Sequence, residues 1–119
     1  MKIVRSSSAE SYEPEEGWRR TSLCRELEIS IEHFVKPARH ASPLHNHPNL
    51  QILVVLTGKV VIRTDSDEQV LNEGDCAFLS GGESHSVMNP ADEPATGLDI
   101  FVPGRSFDFW VNRDPGMKT

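Results

Sequence analysis

The sequence predicts an all-β domain, and three observations predict it. Short apolar runs recur along the chain, separated by turns rich in Gly, Asp and Pro. No window carries an uninterrupted helical period with caps, except a short one near the C-terminus. The length of 119 residues is that of one ordinary domain. Many short strands at close spacing imply an antiparallel sandwich or barrel.

The elements follow in order. Residues 1–20 are polar, with Ser and Glu prominent, and read as an N-terminal extension. The barrel is expected over 21–110, with 111–119 as a C-terminal tail. Leu27, Ile29 and Ile31 alternate with Glu28, Ser30 and Glu32, the two-residue period of a half-buried strand. Lys36-Pro37 and Ser42-Pro43 break the chain. Strands are then expected over 50–56, 60–64, 69–71, 76–79, 85–89 and 98–102. Thr57-Gly58-Lys59, Asp65-Ser66-Asp67-Glu68, Glu73-Gly74-Asp75, Ser80-Gly81-Gly82-Glu83 and Asn89 to Pro94 supply the turns.

Composition excludes several classes. The net charge of -6 and pI of about 5.3 argue against nucleic acid or an anionic membrane as partner, since both need clustered Lys and Arg. No apolar run approaches the length of a membrane span, and the first residues lack a signal peptide's apolar stretch. Cys24 and Cys76 fit no metal or redox spacing and read as reduced thiols of a cytoplasmic protein.

Chemistry concentrates at four residues. His45 and His47 are separated by one residue, which on a strand puts both rings on one face. Gln51 shares that parity, and His85 opens a later strand. Imidazoles with one side-chain oxygen suit a divalent Ni, Zn, Mn or Fe ion, or Cu, rather than Ca. His33 and His40 read as structural or solvated, and Asn89 as holding a strand or turn.

The stretch His45-Asn-His47-Pro-Asn-Leu-Gln51, with Gly58 beyond it, resembles the first motif of the cupins. The stretch from Gly74 to Asn89, containing Gly82 and His85, resembles the second. Fifteen residues lie between Gly58 and Gly74, as in compact bacterial cupins. The resemblance covers about Leu27 to Arg105 and implies a single-domain jelly-roll barrel with one metal ion. Arg39 and Ser80 replace the usual Gly and Pro, and both touch only turns. Gln51 stands where most cupins have Glu. A neutral amide ligand leaves the ion its full charge, which favours Lewis-acid proton transfer, lyase or isomerase chemistry over oxygen chemistry.

A narrower likeness lies at the last strand. Asp99-Ile-Phe101-Val-Pro103-Gly-Arg105, followed by Phe107-Asp-Phe109, is similar to the tail of small cupins of pectin and alginate degradation. Those proteins also use His-x-His-Pro-x-x-Gln, and they open 4,5-unsaturated uronates. The resemblance implies a small anionic sugar derivative as substrate. Asp99 would move the proton, Arg105 hold the uronate carboxylate and Phe101 form an apolar wall. An ion pair tying the last strand to its loop is the alternative role for Asp99 and Arg105. Another metal-dependent cupin enzyme and a non-catalytic small-molecule sensor are the competing functions. Open sheet edges predict a homodimer, formed through the N-terminal strands.

Overall fold

The computed structural model of the protein describes residues 1–108. It is all-β. A six-stranded sheet runs in the order β1-β2-β3-β9-β4-β7, and a three-stranded sheet in the order β6-β5-β8. The strands are β1 (Ser11–Glu15), β2 (Trp18–Arg25), β3 (Ser30–Lys36), β4 (Leu50–Thr57), β5 (Val60–Thr64), β6 (Glu68–Leu71), β7 (Cys76–Leu79), β8 (His85–Met88) and β9 (Ala95–Val102). Every pairing is antiparallel. The tail assigned to 111–119, the short helical pattern there and Phe109 lie outside the described residues. Among the described residues, no helix is long and apolar enough to cross a membrane.

Most expected strands fall where their apolar runs stand, and two expectations change. Ser11–Glu15 and the start of Trp18–Arg25 lie in the stretch 1–20 read as a polar extension, yet both segments form paired strands of the main sheet. Their polar look has a physical reason: β2 turns Trp18, Arg20 and Ser22 inward, and Arg20 meets buried carboxylates rather than water. The second change concerns the strand expected from Leu27. It begins at Ser30, and Leu27 is exposed. Its inward face carries Ser30, Glu32, Phe34 and Lys36, while Ile31, His33 and Val35 lie half-buried on the other face. The interior at this end is polar, so the alternation reads with the opposite sign.

The apolar core comprises Phe34, Leu53, Val55, Val60, Ile62, Leu79 and Ala95. Along β4 the inward positions pass from Val55 and Leu53 to Gln51, and along β9 from Ala95 and Gly97 to Asp99 and Phe101. One end of the barrel is therefore packed with hydrocarbon, and the other holds polar groups around a cavity. Gly97 permits the transition. A Cβ there would lie 2.4 Å from the Val54 carbonyl oxygen and 2.5 Å from the Phe34 ring.

Candidate metal centre and its charged cavity

His45 and His47 lie in the loop before β4 rather than on a strand, so their convergence comes from backbone pairing across motifs. His45 and His85 exchange two backbone hydrogen bonds, of 3.0 and 2.8 Å. The Gly82 amide donates to the His47 carbonyl at 2.8 Å, and a Cβ on Gly81 would lie 2.4 Å from the Pro48 carbonyl oxygen. The second motif's glycine loop thus seats directly on the first motif. Gln51 points inward from β4.

One ligand atom from each of His45, His47 and His85 lies within 4.8 Å of the others. Each Nδ1–H donates to a backbone carbonyl two residues away: His45 to Pro43, His47 to Asn49 and His85 to Glu83, all at 2.9 Å. This leaves a lone pair on each Nε2, the usual arrangement behind metal-ligating imidazoles. Burial, opposed by the bond to Pro43 and reinforced by the His85 and His47 imidazoles and Arg105, pushes His45 down to about 4. Burial likewise lowers His85. Both rings are therefore neutral and able to ligate at neutral pH.

Two details fit a cation. His85 Nε2 is buried without a hydrogen-bond partner, an arrangement that a metal bond would relieve. His47 Nε2 lies 3.0 Å from Gln51 Oε1. In the tautomer that donates to Asn49, two lone pairs face each other there. The Gln51 amide is fixed in that sense because its Nε2 donates to Asp99 Oδ1 at 2.7 Å. Three neutral imidazoles and one amide oxygen suit a divalent transition ion.

Behind Gln51 lies a buried ion network. Arg20 bridges Asp99 Oδ2 and Glu32 Oε1, both at 2.8 Å. Arg105 donates to both oxygens of Glu32, at 3.1 and 3.0 Å, and its guanidinium stacks 3.9 Å above the centre of the Phe101 ring. Burial alone would lower Arg20, but Glu32 and Asp99 more than offset it and hold it above its ordinary value. At Arg105 burial outweighs Glu32, and the net direction is downward. Asp99, Phe101 and Arg105 therefore stand in the same cavity as His45, His85 and Gln51, with Arg20, Lys36, Trp18, Phe34 and Ser42. Its space, mouth included, is about 450 Å³.

The four candidate ligands named from the sequence stand together, the three histidines in one cluster and Gln51 beside His47. The residues missed were Arg20, Glu32 and Lys36. Arg20 lies in the stretch read as a polar extension. Glu32 and Lys36 share a two-residue period with Phe34, the one signal that could have placed them inside. Cys24 and Cys76 are free thiols. Asn89 is buried and ties the end of β3 to the following loop, donating to the carbonyls of Lys36, Pro37 and Glu93.

The sequence profile described as "Cupin domain" matches residues 32–101, more than half of the chain. The chain belongs to the cupin family. No curated protein matches it. Several solved structures share the fold. An RmlC-like cupin from Shewanella frigidimarina is 21% identical, with 92% of this chain and 96% of that one covered and a TM-score of 0.81. KdgF from a Halomonas species is 16% identical, with 92% and 98% covered and a TM-score of 0.82. A predicted oxalate decarboxylase from Thermotoga maritima is 22% identical, with 86% and 99% covered and a TM-score of 0.73.

Proposed function

We propose that the protein is a metal-dependent cupin enzyme that opens 4,5-unsaturated uronates to linear keto acids by proton transfer. One observation carries this reading: the Gln51 side chain couples Asp99 to the imidazole cluster, and His45, His85, Gln51 and Asp99 open onto a single cavity with Arg105 and Phe101. The tail sequence from Asp99 to Arg105 and the fold likeness to KdgF agree with it. Bound at His45, His47, Gln51 and His85, a divalent ion would supply Lewis acidity toward substrate oxygens. The remaining steps belong to the chain. Arg105, held by Glu32 and stacked on Phe101, orients the uronate carboxylate, which shares the guanidinium with Glu32. Asp99 carries the mobile proton, and Arg20 and Gln51 fix its two oxygens in place. Phe101 walls the site from water.

The test follows ultraviolet absorbance of the conjugated double bond of unsaturated galacturonate. Asp99→Asn should lower kcat by roughly 100-fold or more, and Arg105→Ala should act chiefly on KM. Wild type no faster than the spontaneous reaction removes the assignment. One observation favours a second reading, a non-catalytic binder of small anions: Asp99 and Arg105 are both held in ion pairs within the protein. Saturable binding of the uronate without turnover would establish it.

A further inference from the structure

A second hydrogen-bonded series reaches the cavity from the side of β1. Lys36 lies on the inward face of β3 and is buried, yet it lines the same cavity as His45 and His85. Its Nζ is 2.7 Å from His40 Nδ1, and His40 Nε2 is 2.9 Å from Glu15 Oε2. The side chain of Glu15 is 52% exposed. An interior amine, an imidazole and a solvent-facing carboxylate thus stand in sequence at hydrogen-bond distance. The Trp18 ring packs against both inner members, 5.0 Å from Lys36 Nζ and 4.6 Å from the His40 ring. It screens them from water and fixes their spacing.

The geometry points to a proton path between cavity and solvent through Lys36, His40 and Glu15, with Lys36 exchanging a proton with the bound ligand. The ligand class is an acid or sugar acid bearing a hydroxyl proton to be lost or gained in the cavity. The inference rests on the proton-transfer reading above and adds to it a base that Asp99 does not supply. The step balances. A neutral Lys36 amine takes the ligand's hydroxyl proton and leaves the electron pair on that oxygen. The ammonium passes a proton to His40 Nδ1, His40 releases the one on Nε2 to Glu15, and Glu15 yields it to bulk water. Imidazole suits the middle place because it accepts at one nitrogen while releasing from the other.

The surroundings poise both inner groups. Burial and the Arg20 cation on β2 push Lys36 down to about 7, against the pull of Asp99 on β9 and Glu15 on β1. Burial and Lys36 lower His40, against Glu15. An amine poised near neutrality can accept and return a proton at working pH.

Two measurements test the path. The first is ¹³Cε NMR titration of the lysines, Lys2, Lys36, Lys59 and Lys118, with Lys36→Met assigning the Lys36 signal. Lys36 should titrate near neutrality, and both His40→Gln and Glu15→Gln should move its midpoint. A Lys36 midpoint alongside those of Lys2 and Lys59, or one unmoved in His40→Gln, overturns the proposal. The second is turnover of unsaturated galacturonate in weak buffer. Lys36→Met should lose roughly 100-fold in kcat with metal content intact. His40→Gln and Glu15→Gln should lose roughly 10-fold, with KM unchanged, and recover when imidazole is added as a mobile proton carrier. Full turnover by His40→Gln without imidazole overturns the path. If wild type does not turn over the uronate, that substrate reading falls, and the titration alone upholds or overturns the path.

Discussion

Gln51 makes the centre legible at the level of single side chains. Its amide nitrogen is spent on Asp99, so its oxygen faces the lone pair of His47, and His85 Nε2 is buried beside them without a partner. These are unfavourable contacts for a neutral pocket and favourable ones around a cation. The protein should therefore purify with about one divalent transition ion per chain. His47→Ala and His85→Ala should each lose it, as elemental analysis of the three proteins would show. Lys36 makes the same argument from stability. Its pKa is near 7 in the fold against 10.5 for the free side chain, so the unfolded protein binds more protons between those values. Wild-type stability then rises with pH across that window, and the full penalty applies below it. Lys36→Met should be more stable than wild type at pH 7, by at most about 4 kcal/mol at about 1.4 kcal/mol per pKa unit. The gain should shrink toward pH 10. Chemical denaturation at both values measures it, and wild type more stable than the variant at pH 7 would contradict it.

At the level of elements, turns and close approaches decide where the strands can run. Arg39 stands where cupins usually place Gly, and it adopts a φ of 63°, in the left-handed region that glycine occupies freely. Its ion pair with Asp92, at 2.9 Å, is exposed and contributes little. The departure lies in a turn, as expected, and there it places a non-glycine residue in a strained conformation. Gly97 is the opposite case, a position where nothing larger fits. A methyl group would press on the β4 backbone and on the Phe34 ring at once. Gly97→Ala should destabilise the fold by roughly 1–3 kcal/mol, as overpacked cores do. It should also displace Phe34 from the cavity wall. A denaturation midpoint equal to wild type would show that β9 can move away from β4.

Across the whole molecule, the six-stranded sheet keeps one face for the cavity and leaves the other outside. Register aligns Ile31, Ile100, Ile52 and Phe78 across β3, β9, β4 and β7 on that outer face, and Phe78 is 63% exposed. β1 and β7 are the open edges of the sheet. Edges and an apolar face of this kind are commonly covered by a second copy. A homodimer through the N-terminal strands and the adjoining outer face is the expected state. Light scattering that gives a monomer at micromolar concentration would contradict it.

The sequence by itself determined the all-β class, most of the strands after Leu50 and which candidate ligands, His45, His47, Gln51 and His85, stand together. Each rests on local information, either a two-residue period or a fixed motif spacing. Tertiary structure alone decided that Ser11–Glu15 and Trp18–Arg25 are sheet strands, and that Glu32 rather than Ile31 faces inward. The physical reason is the same in both cases. A charged residue reads as solvent-facing until its partner is known, and the partners are remote in sequence. Arg20 meets Asp99 across β3, Arg105 returns to Glu32 from beyond β9, and Lys36 meets His40 and, through it, Glu15. Burial of those charges is stable only as a set, and only the assembled barrel brings the set together.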